Sequence, residues 1–194
     1  TPVLILSGNS LEHGLLALAS MYVGIPYSPV SPAYSLVSSD FAKLRHICDL
    51  LKPGLIFVDD GAKYAKALAA VMPKDARLLV LENPLSQYDC DVFKDVRQTT
   101  PTDAVDAANG KITEDTIAKF LFTSGSTGMP KAVINTQRML CFNQMMLRHA
   151  LAFLQDEPPV MVDWLPWNHT AGGNHNFGIA LYNGGSFYID QGKP

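Results

Sequence analysis

Residues Phe122 to Val133 read FTSGSTGMPKAV, and the organisation of the chain follows from this stretch. Phe120, Leu121 and Phe122 make an apolar approach, the span from Thr123 to Gly128 holds two glycines and four hydroxyls, and the exit is Pro130 followed by Lys131. The order is strand, turn, cation. Gly125 and Gly128 lack a β-carbon, so the backbone there can take positive φ and come close to a ligand. Thr123, Ser124, Ser126 and Thr127 add hydroxyl donors, and successive amides in such a turn can form an anion-binding nest. Lys131 adds full charge, which at about 4 Å and an effective dielectric near 20 is worth roughly 4 kcal/mol before desolvation. Together these residues describe a cradle for a polyphosphate.

The Walker loop is excluded, because there lysine directly follows glycine and precedes Ser or Thr. Here Pro130 precedes Lys131 and Ala132 follows it. Proline fixes its own φ and turns Met129 away from the helical region. Lys131 is therefore expected on extended chain and not at a helix N-terminus. The alternative is an idle Ser/Gly-rich surface loop, and the ordered strand, proline and lysine weigh against it.

With 194 residues, 47% of them hydrophobic, the chain has enough apolar mass for the core of one domain or a little more. A net charge of −3 without runs of like charge argues against nucleic acid or an anionic membrane as the main partner. No apolar run is long enough to span a bilayer and no secretory signal opens the sequence, so a cytoplasmic address is expected. Cys48, Cys90 and Cys141 lie far apart in no metal or redox spacing and read as core thiols. The chain opens directly on strand-like PVLILSG and stops at QGKP, which reads as a fragment of something longer.

Along the chain, VLILSG leads into a helix whose start is marked by Asn9 and Glu12 in capping-box spacing, with Leu11, Leu15, Leu18 and Tyr22 at helical intervals until Gly24 and Pro26. A helix is expected from near Ser39 to Leu51, with Leu44, Ile47, Cys48 and Leu51 on one face. Then come strand GLIFVDD, an Ala-rich helix over 62–71 and strand ARLLVLE. Alternating helices and wholly apolar strands predict an α/β fold, a mainly parallel sheet flanked by helices. Ligands of such sheets bind beyond the carboxyl ends of strands, where FLFTSGSTG puts the loop. Residues 83–110 read as a surface connection with a short helix, whose acids have no metal spacing. AVINT should pair back on FLFT. Gln137 to Leu154 should form one long helix in which Met139, Met145 and Met146 fill core, followed by a strand in VMVDWLPW.

A second cluster, WLPWNHTAGGNHNFGIALYNGG, sets polar groups and glycines beside Trp164 and Trp167, the composition of a pocket wall. His169 and His175 lie six apart with no third ligand, which disfavours a metal site.

FTSGSTGMPKAV resembles the phosphate-loop signature of the adenylate-forming (AMP-binding) superfamily, and LPWNHTAGG resembles that superfamily's next motif. The wording WLPWNHTxGGNHNFG with LYNGGxxYIDxGKP is similar, more narrowly, to feruloyl-CoA synthetase-like acyl-CoA synthetases, and the likeness spans the chain. It implies that residues 1–194 are part of the large N-terminal AMP-binding domain. It implies ATP-dependent activation of a carboxylic acid, of hydroxycinnamate type, to an acyl-adenylate and then transfer to coenzyme A. Thr123, Ser124, Gly125, Ser126, Thr127, Gly128 and Lys131 would hold the ATP phosphates, with Lys131 and His169 in catalytic roles. His169, Trp167, Asn168 and Gly172 would shape the acyl pocket. Mg²⁺ ligands, the adenine site and the C-terminal domain would lie outside this chain, which alone should not turn over. Ala132 stands where the family usually has glycine. An unrelated phosphotransferase or ATPase, with Asp163 or Asp190 holding Mg²⁺, and a non-catalytic nucleotide-binding module are the competing readings.

Overall fold

The computed structural model describes residues 1–123 and 128–190. Its first strand, β1 (Val3–Leu6), is buried at every position and lies at the centre of a seven-stranded sheet. Side chains alternate across a strand, and here they divide between two cores. Leu4 and Leu6 face one, with Ile56 and Val58; Val3 and Ile5 face the other, with Ala17, Tyr27 and Phe57. A strand buried on both faces reads as an unbroken apolar run, which is why VLIL, LIFV and LLVL have no alternation.

The helix α1 (Leu11–Tyr22) covers one face, and β2 (Tyr27–Pro29) returns beside β1. After a short α2 (Ala33–Leu36), α3 (Ala42–Leu51) packs Leu44, Ile47 and Cys48 into the opposite core. The units β3 (Leu55–Asp60), α4 (Gly61–Val71), β4 (Arg77–Glu82), β5 (Cys90–Val92), α5 (Phe93–Val96) and α6 (Asp103–Asn109) follow, then the pair β6 (Ile117–Thr123) and β7 (Lys131–Thr136). The strand order is β5-β4-β3-β1-β2-β6-β7, parallel throughout except for antiparallel β6 and β7. The expected α/β class and the return of AVINT onto FLFT are both present. Beyond α7 (Gln137–Ala150), β8 (Val160–Asp163) pairs in parallel with β9 (Ser186–Ile189) in a separate small sheet, with a π-helix over Ala171–Asn176 and α8 (Phe177–Tyr182) between them. Among the described residues no helix is long and apolar enough to cross a membrane.

Several local expectations need correction. The segment 83–110 is more than a connection, since β5 extends the sheet and Phe93 enters the core. Three-residue strands such as β2 and β5 carry too little periodicity to be seen in sequence. The helix expected from Ser39 starts at Ala42, after Phe41 in the left-handed region. α7 stops at Ala150 and a 3₁₀ turn follows. Its Met139, Met145 and Met146 are exposed and do not fill the core; Gln144 is the buried residue of that helix. Only Cys48 of the three cysteines is a buried thiol, its pKa pushed up to about 12 by burial, whereas Cys141 is exposed.

α1 carries two reversals. The N-cap is Ser10, whose hydroxyl accepts from the His13 amide at 3.1 Å, and Asn9 is engaged elsewhere. The buried face is His13, Gly14, Ala17 and Ser20, while Leu11, Leu15 and Tyr22 are exposed. A helix packed closely on a sheet favours small residues at the contact, and a leucine count misidentifies that face. Ser10→Ala should cost about 1 kcal/mol, the value of a helix cap, read as a lower urea midpoint with an unchanged slope. Asn9→Ala should not reproduce a cap defect in helical circular dichroism.

Candidate functional site

The two ends of the Ser/Gly-rich loop are held side by side. In the antiparallel register Thr123 faces Lys131 and Phe122 faces Ala132, so the segment between them closes a hairpin at the carboxyl end of β6. Lys131 opens β7 on extended, exposed chain, as Pro130 predicts. The His46 ring nitrogen Nε2 donates to the carbonyl of buried Pro130 at 3.0 Å, which fixes the exit of the turn to α3. Gly128 adopts φ +87, a conformation that side chains rarely take. Ala132 is not among the positive-φ residues, so alanine in place of glycine carries no backbone strain there. Ser124, Gly125, Ser126 and Thr127 lie outside the described residues.

The second cluster is clipped to the first strand–helix turn by Asn9. Its Nδ2 donates to the Leu165 carbonyl at 2.8 Å and its Oδ1 accepts from the Trp167 amide at 3.0 Å. Trp167 is thereby turned inward, its ring packed against His13, Phe177 and Phe187 at centroid distances of 5.0, 4.9 and 5.9 Å. The chain then doubles back so tightly that a β-carbon on Gly172 would lie 2.5 Å from the Leu165 carbonyl oxygen, and one on Gly173 would overlap the Trp167 carbonyl. The glycine pair is required by that backbone approach.

Four further elements hold the π-helix. From β6, the Lys119 amine donates to the Gly173 carbonyl at 2.7 Å; from α7, the Gln144 amide donates to the Asn174 carbonyl at 2.8 Å. Asn174 Nδ2 donates to Asn135 Oδ1 on β7 at 2.8 Å, and Asn176 Nδ2 to Asp163 Oδ1 on β8 at 2.7 Å. A π-turn is wider than an α-turn and is a recurrent feature of functional segments. Here its polar groups are committed to neighbouring elements, so the segment bearing His169 is held from all sides.

His169 is exposed. Its own amide donates to the Pro166 carbonyl at 3.0 Å, and Nδ1 accepts from the Ala171 amide at 3.3 Å, which places the proton of the neutral ring on Nε2. Asn168 and exposed Trp164 line a cleft of about 500 Å³ together with Ser7, Asn9 and Asp59. Trp167 is 5% exposed and lies behind this surface, in the aromatic cluster. Thr123, Gly128 and Lys131 thus stand together at the hairpin. Trp167, Asn168, His169 and Gly172 stand together on the second segment, and β6 joins the two groups through Lys119. Asp163 is buried, with Oδ1 accepting from Leu165 and Asn176. His175 Nδ1 bonds to Asn176 Oδ1, and among the described residues no three metal-ligating side chains stand together.

Sequence reading missed Lys119, Asn9, Gln144 and Asn135. Lys119 did have a signal, being the one charge inside an apolar strand, and long charged residues are rarely buried fully. It is 2% exposed, beside a cavity of about 440 Å³. Burial lowers its pKa from 10.5 to about 7. Burial also lowers His13 from 6.5 to about 4, against an opposing bond from its Nδ1 to the Gly8 carbonyl at 3.0 Å.

Both groups prefer the neutral form when folded, so the unfolded chain binds more protons and stability rises with pH. For Lys119 the rise falls between about pH 7 and 10.5, with a slope of up to about 1.4 kcal/mol per pH unit. Lys119→Met should flatten that limb in urea unfolding measured at pH 7 and 9.5.

Residues 1–194 match the family model described as "AMP-binding enzyme". A 4-coumarate–CoA ligase-like protein of Oryza sativa subsp. japonica is 32% identical over 133 residues, which is 69% of this chain and 19% of that protein. Among solved structures, ATP-bound MatB from Rhodopseudomonas palustris superposes on 97% of the chain with a TM-score of 0.69 at 24% identity. The adenylation domain of a keto acid-selecting NRPS module bound to keto acyl adenylate does so with a TM-score of 0.73 at 21% identity. At these identities the structural likeness is one of fold. The chain spans 34% and 31% of those two solved chains.

Proposed function

The chain belongs to the AMP-binding enzyme family, and from that premise we propose that it is the phosphate-holding part of an acid–thiol ligase. The ligase couples ATP to a carboxylic acid and passes the acyl group from the adenylate to coenzyme A. The observation that carries the reading is the hairpin, which sets Lys131 opposite Thr123 at the carboxyl end of β6 and is tied through that strand to the His169 segment. The narrower substrate, a hydroxycinnamate-like aryl acid, is supported by the likeness of the second cluster and by the name of the rice relative.

In this reading the acid's carboxylate oxygen attacks the α-phosphorus of ATP, and the bond to the pyrophosphate oxygen breaks. Negative charge gathers on the departing pyrophosphate. Thr123, Ser124, Gly125, Ser126, Thr127, Gly128 and Lys131 supply donors and charge there, the term that contributes most in such chemistry because the donors are already oriented. His169, with Nε2–H facing outward, offers a donor to the carboxylate as it approaches. Asn168 shapes the cleft beside it, Gly172 permits the turn that presents it, and Trp167 anchors the turn. The thiol of coenzyme A then attacks the acyl carbon and AMP leaves.

The described residues do not form a Mg²⁺ site, and no step above runs through one. Groups for Mg²⁺, adenine and thiol transfer are assigned to the remainder of a longer protein, in a cytoplasmic setting, and residues 1–194 alone are expected to be inactive. The competing phosphotransferase reading would use Asp163, whose Oδ1 is already bonded to Asn176 and Leu165.

Carboxylate-dependent exchange of labelled pyrophosphate into ATP by the complete protein tests the reading, and no exchange with cinnamates, benzoates or fatty acids removes it. Lys131→Ala should slow exchange at least about tenfold, and His169→Ala should change kcat or acid selectivity more than the KM for ATP. An effect of His169→Ala confined to ATP would take that residue out of the acyl site.

A further inference from the structure

Lys131 opens β7, the last strand in the sheet order, so among the described residues β6 is the one strand beside it. The turn before it stands away from the body of the protein: a β-carbon on Gly128 would meet nothing within 4 Å, and Met129 is exposed. Pro130, in contrast, is buried. Its nitrogen carries no hydrogen, so the carbonyl is the one polar group by which that residue can be held. The donor for it comes from outside the hairpin, from the His46 ring in the middle of α3, at 3.0 Å.

A carbonyl and the amide that follows it belong to one planar unit. The Pro130 carbonyl and the Lys131 nitrogen therefore turn together, and a donor on the carbonyl sets the plane from which the Lys131 backbone leaves. α3 is a firm base for that donor, since its Leu44, Ile47 and Cys48 are buried in the core. Across the hairpin Thr123 pairs with Lys131. The lysine backbone is thus held from two directions, by the ladder from β6 and by the imidazole from α3. His46 and Lys131 line one groove, together with Leu51 of α3, Phe120 of β6 and Ile134 of β7.

We propose that His46 is a positioning residue, which orients the Pro130–Lys131 peptide and so aims Lys131 at the phosphates of ATP. The inference rests on the phosphate-holding reading of Lys131 above. His46 acts through the peptide and not on the nucleotide itself. A carbonyl only accepts, so the ring serves with its hydrogen on Nε2. Glutamine carries an amide nitrogen the same number of bonds from the backbone and can take its place. Leucine cannot, because it leaves a buried carbonyl without a donor, and the peptide that turns in search of one carries Lys131 with it. A displacement of about 1 Å at a positioning group costs up to about a hundredfold in rate.

The test is carboxylate-dependent pyrophosphate exchange by the complete protein, with His46 changed alone and together with Lys131. His46→Leu should lower kcat/KM for ATP about tenfold or more and leave the KM for the acid within about twofold, whereas His46→Gln should stay within about threefold of the wild-type protein. In a Lys131→Ala protein the further change His46→Leu should cost less than about threefold, because two residues that act through one another do not add. Equal losses in the two backgrounds mean a merely structural role and overturn the inference, as does a glutamine variant as slow as the leucine one. Unchanged exchange by His46→Leu overturns the inference alone. No exchange by the wild-type protein, or unchanged exchange by Lys131→Ala, overturns the phosphate-holding reading and this inference with it. If His46→Leu does not fold, His46→Asn, polar but one bond too short to reach Pro130, decides by the same comparison of backgrounds.

Discussion

One buried hydrogen bond holds the two chemically distinctive stretches of this chain in a fixed relation. The Lys119 amine, on the strand that ends at the phosphate loop, donates at 2.7 Å to the carbonyl of Gly173, on the segment that carries His169. Without it, an amine and a carbonyl would both be buried without partners. The penalty for such groups greatly exceeds the net worth of a made bond. The bond therefore specifies geometry more than it adds stability. The cost of burying the lysine is visible in its depressed pKa.

Around that bond the architecture separates rigid support from reactive surface. β1, β3 and β4 are buried on both faces and give the sheet its stiffness. β6 and β7 lie at the other end of the strand order, and the antiparallel turn between them supplies a loop whose ends cannot drift apart. The second segment has little apolar support of its own beyond the Trp167 cluster. It is held by side-chain amides instead: Asn9, Asn135, Gln144 and Asn176 each reach across to another element. Amides suit this task because each carries both donors and an acceptor without charge to desolvate.

Membership of the AMP-binding family gives this arrangement its chemical meaning. The hairpin at the carboxyl end of β6 carries Lys131, and the clipped segment carries the exposed His169. A mostly apolar cavity between α1, α7 and α8 has the Lys119 amine on its lining.

The sequence by itself determined the parallel α/β class, because strands buried on both faces must be continuously apolar. It also determined the extended exit of Lys131, because proline fixes φ and excludes the helix; both are local properties of composition and backbone sterics. It marked the loop and the His169 cluster as unusual, but the faces of α1 and α7 were misread. Leu11, Leu15 and the α7 methionines turned out exposed, while Gly14, Ala17 and Gln144 were buried, since close packing selects by fit and not by hydrophobicity alone. Only the tertiary structure decided that Asn9 clips Trp167 across 158 residues of sequence and that Lys119 meets Gly173 across 54. Those bonds join groups with no periodic relation in the chain, and it is the sheet order that brings them within reach of one another.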